Sequence, residues 1–247
     1  MIDFMTANFW VYLTFVGLLG LAIGSFINVV IHRLPIMLER DWHEQYAESL
    51  DSISNEKKTP YNLSRPASHC PQCLVKLSVW HNIPVISYVV LGGKCASCKR
   101  KIPFRYLLVE LLSLIFSLIA AIQFGLSYEL LTVLILTWFL IAISFIDFKH
   151  QILPDLLTLP LLWIGLFVSC LELFTNSHDA ILGAIFGYLF FWLINTLFKL
   201  FAKKDGLGQG DFKLLAAGGA WLGGQLLPFI ILTSSVLALF FGIGMLA

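Results

Sequence analysis

The stretch FWVYLTFVGLLGLAIGSFINVVI, residues 9–31, runs for 23 positions without a charged side chain. A hydrocarbon core about 30 Å thick is crossed by roughly 20 apolar residues in a helix, so this stretch reads as a membrane span. The residues before it carry Asp3 and no Lys or Arg, and the run lacks a small-residue cleavage site. It is therefore an anchor and not a cleavable signal peptide. Four further runs are predominantly apolar and of similar length, at residues 106–126, 130–146, 156–174 and 180–201. The last apolar tract, residues 214–247, contains Gly218, Gly219, Gly223, Gly224 and Pro228. At roughly 50 Å it is too long for one span and reads as two, with a turn near residues 223–228. The expected fold class is an all-α polytopic integral membrane protein with about seven transmembrane helices.

The composition agrees. Of 247 residues, 58% are apolar or aromatic and 13% are charged, against about 25% charged in a soluble domain. A formal net charge of +1 excludes a nucleic-acid binder that works by bulk positive charge. The near neutrality conceals a segregation. Eleven of the sixteen basic residues lie between Arg33 and Arg105, one is Lys149, and the rest are Lys199, Lys203, Lys204 and Lys213. If the spans alternate across the bilayer, all sixteen fall on one side, which the positive-inside rule makes cytosolic. Residues 1–8 are then extracytoplasmic, residues 9–31 the first span, residues 32–105 a cytosolic loop domain and residues 106–247 the membrane body. The sequence contains no internal repeat and no low-complexity segment.

Within the loop, Leu38, Trp42, Tyr46, Leu50 and Ile53 recur at helical spacing among Glu39, Asp41, Glu44, Glu48 and Asp51. This pattern fits a solvated surface helix or an acidic dock for a basic segment. Residues 55–66 read as a linker. Cys70 and Cys73 form one Cys-x-x-Cys pair, and after 21 residues Cys95 and Cys98 form a second. Two such knuckles can converge four thiolates on a tetrahedral zinc, with a gap one residue beyond the usual pattern. Four sulfurs would close its coordination shell, so the zinc is structural. Two disulfides, or a thioredoxin-like pair, are the alternatives, disfavoured by cytosolic placement and by the absence of a βαβ pattern. Cys170 reads as a small core residue. His69 is superfluous as a ligand, and His32, His43, His81, His150 and His178 are scattered without a role.

Charged side chains at membrane depth are costly and are functional candidates. Asp147 closes the run at 130–146, and Asp211 follows Gly206, Gly208 and Gly210 ahead of the last tract. The expected topology puts both at the cytosolic boundary, where side-by-side helices would let two carboxylates share a proton. One would take a proton from water while the other donates to a carbonyl, which is aspartyl-protease chemistry. The glycines would permit positive φ and close approach of a substrate strand. A turn capped at a helix N-terminus would use the same residues. Asp155, after Pro154, competes for the dyad but reads as a helix start. Glu110 is expected to pair with Arg105 or another cation, and Lys149, Lys203, Lys204 and Lys213 to anchor in headgroups.

Together these residues resemble the bacterial prepilin peptidases, or type IV leader peptidases. The resemblance is carried by residues 24–35 (GSFINVVIHRLP), the two cysteine knuckles, Ile146-Asp147 leading to Leu153-Pro154-Asp155, and residues 208–213 (GQGDFK). It implies an aspartic endopeptidase of the bacterial inner membrane, with a periplasmic N-terminus. Such an enzyme removes the basic leader of type IV prepilins and type II secretion pseudopilins after glycine, on the cytosolic side. Asp147 and Asp211 would be the catalytic pair. It further implies N-methylation of the new N-terminal residue from S-adenosylmethionine. No methyl-donor fingerprint is present, and Gly92 and Gly93 before Lys94 are a candidate position without a motif behind them. Members usually continue past the position of Ala247 with a further span, so the chain is expected to be truncated or to lack that span. A proton- or ion-coupled transporter with a regulatory zinc loop is the competing reading, but it would place ionisable groups at the bilayer midplane. A membrane-anchored zinc-knuckle scaffold is a third.

Overall fold

The computed structural model describes residues 8–49, 61–70, 72–76, 78, 83–204 and 206–246. These form helices, with isolated bridges only around the cysteines. The chain divides into two compact units, Met1–Gln151 and Ile152–Ala247.

In the first unit, helix α1 (Phe9–Ser49) runs for 41 residues, beyond the end of the apolar stretch at residue 31. Nothing between His32 and Ser49 stops it. The one proline, Pro35, is fully buried, and the following Leu, Glu, Arg and Gln residues are good helix formers. The pattern assigned to a separate helix at residues 38–53 is therefore the continuation of α1 as far as Ser49; residues 50–53 lie outside the described residues, as does the start of the expected linker. A short helix α2 (Ile86–Val90) precedes the second cysteine pair. Helices α3 (Arg105–Phe124) and α4 (Tyr128–His150) complete the unit.

A polar, small-residue seam joins α1 to α3. Side chains at Gly20 or Gly24 would run into Ser117 and Ser113, and the Ser113 hydroxyl donates to Gly20 O at 2.6 Å. One turn further, Asn28 Nδ2 donates to Tyr106 O at 2.9 Å. Apolar burial gives no advantage between helices that both sit in lipid. Close approach and internal hydrogen bonds hold such pairs together. At the other end Tyr12 donates to Gly125 O at 2.8 Å and packs with Val16, Ala120, Ala121, Leu130 and Leu134.

The second unit contains α5 (Asp155–Ser169), α6 (Ser177–Ala202), α7 (Gln209–Leu222) and α8 (Leu227–Leu246), with a 3₁₀ turn at Gly224–Leu226. The break between α7 and α8 falls at Gly223, at φ 81°, within the expected turn. Helix α7 lies against α5 and α6 with Phe212, Leu215, Ala216, Ala217, Gly219, Ala220 and Trp221 buried. A Cβ on Gly219 would collide with the backbone of Gly183, and one on Gly187 would lie 2.7 Å from Leu215 O. Trp221 fills the space over Gly165 and donates from Nε1 to Leu161 O at 2.9 Å.

Among the described residues four helices are long and apolar enough to cross a membrane: Phe9–Tyr46 within α1, then α3, α4 and α6. Two shorter apolar helices, Asp155–Ser169 and Gly224–Phe240, join them. The expected count of about seven is not confirmed among the described residues. Helix α7, with 14 residues, is about 21 Å long and stops short of a bilayer core. Cys170 also departs from expectation. It is exposed at the end of α5 rather than in a core.

The glycine contacts yield a paired prediction. Gly219→Ala forces two helix backbones apart and is expected to lower stability by at least about 1–3 kcal/mol, the usual range for overpacking. Gly218→Ala meets only Ile230 Cδ1, at 3.6 Å, and should be neutral or stabilising by up to about 1 kcal/mol through helix propensity. Unfolding of both variants in detergent micelles measures the contrast.

Candidate active site and metal centre

The four cysteines of the loop come together. Their Sγ atoms all lie within 4.8 Å of one another, and Cys70 Sγ is 3.9 Å from Cys98 Sγ. Tetrahedral zinc with Zn–S bonds of about 2.3 Å requires sulfurs roughly 3.8 Å apart, so the donor set and spacing fit that ion. All four thiols are free, which removes the disulfide alternative. The two knuckles are built alike. Leu74 N–H donates to Cys70 O at 2.9 Å and Lys99 N–H to Cys95 O at 3.0 Å. Cys70 N–H donates to Val75 O and Cys95 N–H to Arg100 O. Leu74 and Lys99, each just after the second cysteine of its pair, both adopt left-handed φ, at 56° and 58°. Backbone N–H groups of Cys73 and Gln72 bring the Cys70 thiol down to about 6, and those of Cys98 and Ser97 lower Cys95. Metal ligation requires thiolates, and in each knuckle the backbone N–H groups favour that form at the first sulfur. His69 turns away to Ala67 O at 2.9 Å.

Two ties secure the knuckles to the helices of their unit. Arg33, on α1 and buried, donates from Nη1 to Asn62 O at 2.9 Å and from Nη2 to Pro66 O at 2.7 Å. Glu110, on α3, accepts the Val85 N–H at 2.7 Å and so holds Val85, at φ 59°, at the start of α2. The expected partner for Glu110 was a cation such as Arg105, but that guanidinium lies over the Tyr106 ring at 5.5 Å. Gly92 and Gly93, at φ 58° and 66°, make the turn from α2 into the second knuckle. There Gly93 N–H donates to Tyr88 O at 2.8 Å.

Asp147 occupies the last turn of α4, exposed, and its backbone carbonyl accepts the Gln151 N–H at 2.8 Å. Asp211 belongs to the second unit. It sits in the first turn of α7, half-buried, and its N–H donates to Gly208 O at 3.2 Å. A side chain at residue 208 would come within 3.3 Å of Asp211 Oδ2, so the carboxylate lies over the N-terminus of its own helix, where the helix dipole favours negative charge.

The glycines before Asp211 do not adopt the positive φ expected of them. Gly208 has φ −70°, and the positive-φ glycines among the described residues are Gly92, Gly93, Gly125 and Gly223. What Gly206 and Gly210 provide is space. A Cβ on Gly210 would stand 2.5 Å from Leu153 Cβ, and one on Gly206 would stand 2.6 Å from the Phe198 ring. Asp155 begins α5 as expected, and both its oxygens accept from Lys213 Nζ, at 2.6 and 2.7 Å. Lys213 is thus an ion-pair partner rather than the expected headgroup anchor, and Asp155 already has a cationic partner. Asn195 has no counterpart in the sequence reading. Its Oδ1 accepts from Gly206 N–H and Leu207 N–H, and the available signal was a carboxamide inside an apolar run.

These features define a class: a helical membrane protein with carboxylates at helix termini and a four-thiol metal knuckle. Residues 18–124 match the bacterial peptidase A24 N-terminal domain, and residues 134–243 match the type IV leader peptidase family. The chain belongs to the type IV leader peptidase family. It is 47% identical over 246 residues to the prepilin leader peptidase/N-methyltransferase of Pseudomonas aeruginosa, covering 100% of this chain and 85% of the relative. It is also 47% identical to the proteins of that name from Stutzerimonas stutzeri, over 99% of this chain and 85% of the relative, and Neisseria gonorrhoeae, over 90% and 78%. No solved structure matches the chain. The transporter reading finds no support in these relatives.

Two outcomes follow from the site. Cys73→Ser leaves three sulfurs and should lower bound zinc well below one ion per chain, measured by elemental analysis of the purified protein; a zinc content equal to the parent's contradicts the knuckle. The Asp155–Lys213 pair is partly solvated, with side chains 56% and 23% exposed. A double-mutant cycle of Asp155→Asn and Lys213→Met should therefore give a coupling of only about 0.2–1 kcal/mol.

Proposed function

We propose that this chain is an aspartic endopeptidase of the bacterial inner membrane that removes the leader of type IV prepilins and type II secretion pseudopilins. Cleavage follows glycine at the cytosolic membrane face, and Asp147 and Asp211 act as the acid–base pair. The observation that carries the reading is the near full-length likeness to relatives named as prepilin leader peptidases. In hydrolysis by such a pair, the ionised carboxylate takes a proton from water as its oxygen attacks the scissile carbonyl. The protonated carboxyl donates to the carbonyl oxygen. Collapse of the tetrahedral intermediate breaks the C–N bond and returns a proton to the leaving amine, with no covalent enzyme intermediate. Asp211 is supported by its setting over a helix N-terminus, and Asp155 is disfavoured by its pairing with Lys213.

The cysteine cluster, in this reading, holds one structural zinc in the cytosolic loop domain of residues 32–105, and the N-terminus is periplasmic. The positive-inside segregation of all sixteen basic residues supports that orientation. N-methylation of the new N-terminus is proposed from the relatives' names. S-adenosylmethionine would supply an electrophilic methyl group to that amine.

Asp147→Asn and Asp211→Asn should each lower leader cleavage in membranes by about 10²–10⁴-fold, the range for loss of a general acid or base. Zinc content should stay at the parent level. Full cleavage by either variant removes that residue from the pair.

A further inference from the structure

The turn that presents Asp211 does not hold itself. Helix α6 ends at Ala202, and Lys203 adopts left-handed φ at 53°, which reverses the chain direction. Gly206 then folds back against the Phe198 ring, on the last turns of the helix just left, where no side chain fits between them. At that point two consecutive backbone donors, Gly206 N–H and Leu207 N–H, reach one atom, Asn195 Oδ1, at 2.9 and 3.1 Å. Both partners are donors, so the acceptor must be the carboxamide oxygen and its orientation is fixed. Gly208 follows directly as the N-cap residue of α7, and Asp211 stands three residues later. The link from Asn195 to the carboxylate is thus a short run of backbone with each end tied down.

We infer that Asn195 is a positioning residue for Asp211, its carboxamide setting the backbone from which the carboxylate is presented. The inference rests on the proposed role of Asp211. An apolar residue at 195 would pack as well in a lipid-facing helix, so a carboxamide is not needed there for burial. What it supplies is one acceptor atom that ties two consecutive N–H groups outside any helical ladder to α6. The geometry asks for an oxygen acceptor with a short stem, which Asp retains and Leu of similar size lacks.

The role predicts a division between the kinetic constants. A displaced carboxylate loses rate in the chemical step while the remaining contacts to substrate persist. In a membrane assay with a prepilin substrate, Asn195→Leu should lower kcat roughly 10–100-fold, with KM changed less than about twofold. Asn195→Asp should restore kcat to within about threefold of the parent, as the acceptor returns. Parental kcat in Asn195→Leu, or failure of Asn195→Asp to rescue, overturns the inference. Asp211→Asn is assayed alongside. If it cleaves fully, the reading of Asp211 has failed; if it is inactive while Asn195→Leu is normal, only the positioning role has. Hydrogen exchange of the parent protein requires no variant to fold. The Gly206 and Leu207 amides should exchange markedly slower than an open loop, and open-loop rates would also overturn the inference.

Discussion

The contact on which the second unit depends is between two backbones. Gly219 of α7 and Gly183 of α6 approach so closely that neither position has room for a methyl group. Helices in lipid gain nothing from hiding apolar surface against one another, since the solvent is equally apolar. Their association depends on dispersion at short range and on internal hydrogen bonds, and both require small residues at the crossing. Once α7 is seated there, Leu215 lies on Gly187 and Trp221 covers Gly165. The first turn of α7, with Asp211, is then placed against Leu153 and the start of α5. The chemistry proposed for Asp211 is therefore downstream of a packing constraint some two turns away.

The first unit applies the same physics differently. Gly20 and Gly24 admit serines of α3, and the serine hydroxyl and the Asn28 carboxamide replace water for backbone groups along that seam. Outside the seam the constraint changes to a cluster of four thiols that could hold a metal ion. Each knuckle closes through the same backbone bonds and the same left-handed residue after its second cysteine. This near repetition brings four sulfurs into one cluster with little surrounding core. Arg33 and Glu110 then fasten the loop to α1 and α3 through backbone carbonyl and amide groups. The loop is thus held by contacts that tolerate varied side chains along it.

Much of this was legible in the residues. Uninterrupted apolar runs marked the membrane helices, because a bilayer permits few other structures. The Cys-x-x-Cys spacing marked the metal knuckle, because four thiolates at that separation have few uses. The turn at Gly223 and the helix start at Asp155 were also visible. The reach of α1 was not, since the apolar run that marks the span stops at residue 31 while the helix continues through Pro35 into a polar stretch. Nor were the partners of Glu110, Lys213 and Asn195, which are fixed by how helices cross and not by neighbours in sequence. The glycines before Asp211 were noticed for conformational freedom, whereas Gly206 and Gly210 act by leaving room for Phe198 and Leu153.

The central claim is that this membrane protein cuts a leader from a pilin-type substrate by carboxylate chemistry and then modifies the amine it releases. Mass spectrometry of a prepilin incubated with the purified protein and S-adenosylmethionine tests it in one spectrum. The account predicts a mature chain beginning directly after the leader glycine and carrying one methyl group on its N-terminal nitrogen. A substrate recovered with its leader intact, under conditions where the protein remains folded, would contradict it.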